Sequence, residues 1–238
     1  MPDSFSSIDV IVPVLNEEAV LPTFYRRVRQ VPLPLNLIFV DNASHDQTVP
    51  FIKSLNDVRL IQHSKNEGYG GSVLDGIKHS TAEALVIIDA DCEYPPEEIP
   101  ALIAALKQYP IVYGSRFKGH AQPQMGWVRR VGNQAITRLF NLLFGQHLTD
   151  LYTGFKALRK SAIADLPLKR RGFEHVLELA SRLAQRGIAI HEIPVIYAPR
   201  SSGKSKMNHI METVKLLTLL LKYRLERGPS SGNTLSSP

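Results

Sequence analysis

The sequence predicts an open α/β fold: a mostly parallel sheet with flanking helices and a C-terminal amphipathic helix. Three observations carry this. Short β-branched runs alternate with helix-like segments through the first half of the chain, and acidic residues follow several of these runs directly. Apolar residues make up 44% of 238 residues and charged residues 21%, the balance of a globular protein with one large core. The expected organisation is a single domain over 1–227 and a disordered tail over 228–238, where nearly every residue is Gly, Ser, Pro, Asn or Thr.

Ile8 to Val14 reads as a buried first strand, and Leu15-Asn16-Glu17-Glu18 as the start of a helix reaching about Gln30. The pattern repeats with Leu35 to Val40 before Asp41, Val58 to Gln62 before a Gly-rich turn, and Ala84 to Ile88 before Asp89. A βαβα order implies parallel pairing, and in such sheets ligands bind beyond the carboxyl ends of the strands. Glu17, Asp41 and Asp89 are therefore expected on one edge. Further on come a strand Ile111 to Gly114, a polar loop Ser115 to Gln124, and a helix Trp127 to Phe144. A strand near Phe155 to Leu158, a helix Phe173 to Arg186, a strand Ile188 to Val195 and a final helix from about Met207 to Leu225 complete the order. There is no internal repeat.

The net charge is +6, with arginines and lysines concentrated after Arg116, which suits an anionic partner: a phosphate, a nucleic acid or a membrane surface. The single cysteine, Cys92, can form no internal disulfide, so a reducing cytosolic setting is expected. Met1 to Ser7 lacks the basic start and apolar stretch of a secretory signal, and no run reaches the roughly 20 apolar residues that span a bilayer.

Chemistry concentrates at Val86 to Glu93. If the strand geometry persists, Asp89, Asp91 and Glu93 point the same way, and hard oxygen ligands of this kind hold Mg²⁺ or Mn²⁺ against substrate phosphates. A solvated acidic turn before a helix accounts for Glu97 and Glu98 but leaves Asp89, flush against a buried strand, unexplained. Gly68, Gly70 and Gly71 do not make a dinucleotide fingerprint, because the third glycine would fall at Val73; a tight turn into a helix is the better account.

The chain resembles glycosyltransferase family 2 and, within it, the dolichol- or polyprenol-phosphate sugar transferases. The resemblance rests on Val12-Pro13-Val14-Leu15-Asn16-Glu17, Val40-Asp41-Asn42-Ala43-Ser44-His45-Asp46-Gln47-Thr48, Asn66-Glu67-Gly68-Tyr69-Gly70-Gly71 and Asp89-Ala90-Asp91-Cys92-Glu93-Tyr94-Pro95-Pro96-Glu97. It continues through Gly114-Ser115-Arg116, Thr149-Asp150 with Thr153-Gly154-Phe155, Glu192-Ile193-Pro194, and Arg200-Ser201-Ser202-Gly203-Lys204-Ser205-Lys206. It implies a GT-A (Rossmann-like) fold and inverting transfer of a hexose from a GDP- or UDP-hexose to a polyprenyl or dolichyl phosphate, with a divalent metal. It further implies that Pro13 and Glu17 border the nucleotide, Asp41 bonds the base, Asp89 contacts the sugar or ribose side, and Asp91 and Glu93 hold the metal. The family often has Gln in place of Glu93 and Asp in place of Asn42.

Arg116, Arg200 and Lys206 supply cations to a carboxylate-lined crevice; an arginine fork suits a diphosphate, and Ser202-Gly203 lets a loop close over it. Asp150 is the candidate base or acceptor-positioning group, with a turn or capping role as its plain alternative, although an acceptor phosphate is already largely dianionic at neutral pH and needs little help from a base. Trp127, Val128, Val131, Ala135, Leu139, Leu142 and Leu143 follow helical spacing among Arg129, Arg130 and Arg138. Ile210, Met211, Val214, Leu217, Leu221 and Leu225 do so among Lys215, Lys222 and Arg224. Either helix can pack on the sheet or lie at a lipid interface, where Arg129 or Arg130 would meet a lipid-borne phosphate. Peripheral attachment at the cytoplasmic face of a membrane is expected. A family 2 enzyme with a soluble or polysaccharide acceptor, and a non-catalytic nucleotide-sugar sensor, are the rival readings. An acid-lined crevice without an aromatic-interleaved basic segment argues against nucleic acid.

Overall fold

A computed structural model describes residues 5–119, 126–198 and 209–226. The β-branched runs become seven strands of one sheet: β1 (Ile8–Val14), β2 (Leu35–Asp41), β3 (Val58–Gln62), β4 (Ala84–Ile87), β5 (Ile111–Ser115), β6 (Lys156–Arg159) and β7 (His191–Pro194), in the order β3-β2-β1-β4-β6-β5-β7. β1 pairs in parallel with β2 and β4, β2 with β3, and β5 with β7. β6 runs antiparallel to both β4 and β5, so its first residues, not its last, reach the edge where the other strands end.

The helices are α1 (Leu21–Val28), α2 (Thr48–Lys53), α3 (Tyr69–His79), α4 (Ile99–Leu106), α5 (Trp127–Phe144), α6 (Lys160–Ile163), α7 (His175–Gln185) and α8 (His209–Leu225). Prolines in the first turn of α1 and α4 leave no donor unpaired there. Because helices cover both faces, strand residues are buried on both sides. Val10, Val12 and Val86 join Phe24 of α1 and Leu102 of α4 in one layer; Ile11, Ile38 and Ile87 join Val73, Phe140, Leu177 and Leu220 in the other.

Two expectations need correction. The first helix begins at Leu21, not within Asn16 to Glu18, because Asn16 takes a left-handed φ of 56° and its loop is bound across to the 44–48 loop: Asn16 N donates to Ser44 Oγ (2.9 Å) and Glu17 N to Thr48 Oγ1 (2.8 Å). Strand geometry does not persist past Ile87, so the alternating alignment of Asp89, Asp91 and Glu93 fails. The Gly-rich segment is the expected tight turn: Gly68 has φ 81° at the start of α3, and a Cβ on Gly70 would lie 2.5 Å from the Arg170 carbonyl oxygen.

The two amphipathic helices each serve two surfaces. On α5, Ile136 and Phe140 are buried while Trp127 (75%) and Leu142 (82%) face outward with Val131. On α8, Leu216, Leu219, Leu220 and Tyr223 are buried while Leu217, Leu221 and Leu225 are exposed. Tyr223 pins α8 by donating to Glu178 Oε1 (3.2 Å), and the other oxygen of Glu178 accepts the backbone N–H groups of Lys169 (2.8 Å) and Arg170 (2.7 Å). Among the described residues no helix is long and apolar enough to cross a membrane. Arg200, Lys206, the expected tail and the side chain of Arg129 lie outside the described residues.

Candidate active site

The edge at the ends of the parallel strands carries backbone strain. Asn16 follows β1, Ala43 follows β2 and Cys92 follows β4, and all three are left-handed, with φ of 56°, 65° and 59°. Such strain concentrates where a ligand-facing surface is over-determined by its surroundings.

Pro13 and Val14 of β1 pair with Val40 and Asp41 of β2, which places Glu17 and Asp41 on neighbouring strand ends. Asp41 is fully buried, and both of its oxygens lie 3.2 Å from the Ser44 N–H, so its carboxylate shapes the 41–44 turn. Asn42 uses both ends of its amide: Nδ2 donates to Asn66 Oδ1 (2.9 Å) and Oδ1 accepts from Glu67 N (2.7 Å). A carboxylate could make only the second bond, which gives the amide at this position a physical reason. Beside it a polar cleft of about 460 Å³ is lined by Gln62, His63, Ser64, Glu67, Asp75 and Arg171. Arg171 ties this cleft to the start of α3 through Asp75 (2.8 Å) and Glu67 (3.1 Å).

Past β4 the chain turns. Asp91 is buried and its Oδ1 accepts the Glu93 N–H (3.0 Å), a local bond that replaces strand pairing and is completed by the left-handed Cys92. Glu93 accepts a hydrogen bond from Tyr197 Oη (2.9 Å), and burial, reinforced by Glu93, pushes the Tyr197 phenol up to about 12. Asp89 is partly buried and lies against the start of β6: a Cβ on Gly154 would lie 2.6 Å from its Oδ2, so glycine at 154 makes room for the carboxylate.

Opposite stands a buried ion pair. Arg116, just beyond β5, donates from Nε (2.7 Å), Nη2 (2.8 Å) and its backbone N (3.1 Å) to Asp150, which is 0% exposed and also accepts from Asn133 Nδ2 (2.8 Å). Burial works against the guanidinium charge, but Tyr94 and Asp150 outweigh it and hold Arg116 above its ordinary range. The guanidinium lies 5.4 Å from the Tyr197 ring centroid, so Tyr197 bridges Arg116 and Glu93. Glu192 accepts from Thr149 N (2.8 Å) and Asp150 N (2.9 Å), fixing the segment that carries Asp150, and its own pKa is raised by burial.

The structure thus brings Asp89, Asp91, Glu93, Arg116 and Asp150 to one region of the edge, with Pro13, Glu17 and Asp41 further along it. Arg130 is partly buried in the first turn of α5. Tyr94, Tyr197, Asn133 and Glu192 complete the region; Tyr94 and Glu192 lie in motifs noted from sequence, whereas Tyr197 and Asn133 stand alone and carry no spacing signal.

His175, at the start of α7, is buried, and burial with the nearby Lys156 lowers it to about 3. A base held neutral in the fold binds its proton in the unfolded chain first. Stability is therefore full above the unfolded pKa near about 6.5 and falls as pH drops toward about 3. His175→Leu should abolish about 2 kcal/mol of the stability lost between about pH 6.5 and about pH 4.5, read from urea midpoints at the two pH values. Parallel losses in both proteins would refute this.

An open α/β sheet with carboxylates, a paired arginine and a polar cleft beyond its strand ends belongs to the class that binds ligands at that edge. Residues 9–166 match the model of Glycosyl transferase family 2, and the chain belongs to that family. Among its relatives are the dolichol-phosphate mannosyltransferase of Pyrococcus furiosus, 28% identical over 92% of this chain and 65% of that protein, and the undecaprenyl-phosphate 4-deoxy-4-formamido-L-arabinose transferase of Aeromonas hydrophila, 28% identical over 88% of this chain. The chain spans 65% of the length of both. An undecaprenyl-phosphate mannosyltransferase of Micrococcus luteus is 27% identical over 83% of this chain and 86% of its own length. In fold, the chain is similar to glucosyl-3-phosphoglycerate synthase of Mycobacterium tuberculosis crystallised with Mg²⁺ and UDP (TM-score 0.71, 19% identity, 95% of this chain and 81% of that one). The same enzyme has been crystallised with Mn²⁺, UDP-glucose and phosphoglyceric acid (TM-score 0.66, 20% identity, 95% of this chain and 81% of that one).

Proposed function

We propose that this chain, acting as one catalytic domain, transfers a hexose with inversion from a GDP- or UDP-hexose to a polyprenyl or dolichyl phosphate at the cytoplasmic face of a membrane. The observation that carries the reading is the junction of the acidic turn after β4 with the Arg116–Asp150 pair through Tyr197. Transfer generates negative charge on a departing diphosphate, and that junction offers a fixed cation beside hard oxygen donors. The relatives whose names specify polyprenyl- or dolichyl-phosphate chemistry support the acceptor.

In this reading Pro13 and Glu17 border the nucleotide, Asp41 bonds the base, and Asp89 meets the sugar. Asp91 and Glu93 would hold Mg²⁺ or Mn²⁺. Two carboxylates with substrate phosphates are an ordinary donor set for Mg²⁺, which does not require an all-protein cage. When bound, the ion would neutralise the diphosphate as a Lewis acid. Arg116 stabilises the charge on the leaving group from a site that is already organised. Asp150 spends its oxygens on Arg116 and Asn133, which suits a positioning role better than that of a base. Arg200 and Lys206 would add positive charge for the diphosphate, and Arg129 and Arg130 would meet the acceptor phosphate. Trp127, Val131 and Leu142 of α5, with Leu217, Leu221 and Leu225 of α8, enter the lipid surface while Arg138, Lys222 and Arg224 face its anionic headgroups.

Two assays test this together: transfer to a short, water-soluble polyprenyl phosphate, and flotation with anionic liposomes at low and high salt. The wild type should transfer, float at low salt and release at high salt. Arg129→Glu with Arg130→Glu should weaken flotation; loss of short-acceptor transfer as well would place an arginine at the acceptor phosphate. A wild type that floats with no vesicle would refute a lipid role for the two exposed helix faces, and one that binds donor without turning over on any lipid phosphate would refute the transfer reading.

A further inference from the structure

Lys156 opens β6 between two strands that end at the crevice, pairing with Ile87 of β4 and Tyr113 of β5, and it is 2% exposed. An ammonium in such a place carries a desolvation penalty of several kcal/mol. An apolar side chain would avoid that penalty, as Ala157 and Leu158 beside it do. The fold compensates only in part. Nζ donates to the Thr153 carbonyl and stands 5.1 Å from the Tyr113 ring centroid. Asp89 and Asp150 act on the charge favourably, against burial and Arg116, and the balance lowers Lys156 to about 8.

Lys156 pairs with Ile87, two residues before Asp89, and Gly154, two residues before Lys156, is the glycine that makes room for the Asp89 carboxylate. Both ring nitrogens of His175 and the hydroxyl of Tyr69 are buried without a hydrogen-bond partner. Their side chains and Lys156 line one small cavity of about 10 Å³, closed by Val73, Ile87, Val176 and Leu179. That is room for about one water, with enough polar groups around it to hold one. The Tyr69 hydroxyl is held well above its ordinary range by burial and by the neighbouring Asp89 carboxylate. Beside Ile87, the last residue of β4 and two before Asp89, there is thus a lysine with spare donors, an imidazole with a free donor and acceptor, and a phenol.

We propose that Lys156 is a positioning residue for Asp89: its buried ammonium, acting with Tyr69 and His175, fixes the orientation of the carboxylate that meets the donor sugar. The inference rests on the donor-site reading above and adds a residue to it. Arg116 serves the diphosphate from the side of β5; Lys156 serves the sugar from beneath the sheet edge.

The test reads binding, so it does not depend on the acceptor. Titration calorimetry with Mn²⁺ compares UDP-glucose and GDP-mannose with UDP and GDP, in wild type, Lys156→Met, Asp89→Asn and the double variant. Lys156→Met should weaken the preferred nucleotide sugar about tenfold and leave the matching diphosphate within about threefold. Lys156→Arg, which keeps the charge, should recover part of the loss, and in the Asp89→Asn background Lys156→Met should cause no further loss. Equal weakening of sugar and diphosphate, or full additivity with Asp89→Asn, would make the lysine merely structural and overturn the proposal. If Lys156→Met does not fold, Tyr69→Phe takes its place in the same cycle, and no selective loss of the nucleotide sugar overturns it. A wild type that binds none of the four ligands refutes the donor reading itself, a result distinct from wild-type binding that the variants fail to discriminate.

Discussion

Asp150→Ala is expected to lower the unfolding free energy by about 3–5 kcal/mol, the cost of leaving a buried charge without its partner. The carboxylate is 0% exposed and the Arg116 side chain 10%, so water cannot take over the bonds that Asp150 makes. Four donors are left facing a void: Nε, Nη2 and the backbone N of Arg116, and Nδ2 of Asn133. Asp150→Asn should be milder, since the amide keeps one acceptor oxygen but turns an N–H₂ toward a guanidinium. Both variants should lose turnover, because an Arg116 released from its fork no longer points at a fixed place. Urea unfolding followed by near-ultraviolet circular dichroism gives the comparison. An Asp150→Ala midpoint equal to wild type would mean that the pair is replaced by solvent and holds nothing in place.

Asp91→Asn should lower metal-dependent turnover by at least about 100-fold while leaving the unfolding midpoint nearly unchanged. In the proposed function Asp91 has two roles, and this substitution separates them. Its Oδ1 accepts the Glu93 N–H and shapes the turn after β4, and an asparagine oxygen can make the same bond. The negative charge is what the amide lacks, and charge is what a divalent ion on a diphosphate requires. The measurement is the rate of transfer as Mn²⁺ is varied, beside a thermal melt of each protein. Unaltered Mn²⁺ dependence in the variant would remove Asp91 from the metal. Glu93→Gln offers the internal comparison, since the amide oxygen can still accept from Tyr197 Oη and only the charge is lost.

The strands β1 to β5 were legible because each is a run of β-branched or apolar residues bounded by polar ones, and Val58–Gln62 and Trp127–Phe144 match their expected bounds residue for residue. The acidic strand ends were legible for the same reason, since a carboxylate directly after a buried strand has little else to do there. The reversal at β6 was not: Lys156 to Arg159 is too short to announce a direction, and its place comes from pairings some seventy residues apart in the chain with β4 and some forty-five apart with β5. Nor was the turn at Asp91 to Glu93, where a side chain competes with the sheet for a backbone N–H. The buried cluster of Lys156, His175 and Tyr69 draws on β6, α7 and α3, and no local pattern could have joined it.

The left-handed residues after β1, β2 and β4 bear on how variation among relatives of this chain is read. An L-residue with a Cβ is strained by roughly 1 kcal/mol or more in that conformation, least so when it is Asn or Asp, and a β-branched residue is strained most. Positions 16, 43 and 92 therefore admit glycine, an amide or a small side chain and resist valine or isoleucine, whatever ligand lies nearby. Restricted choice there would arise from the backbone alone, and so does not identify those residues as contacts. Asp41, Asp91 and Arg116 are under no such constraint of φ. A narrow range of residues at those positions would have to come from what their side chains do, through the bonds they make and the charge they carry.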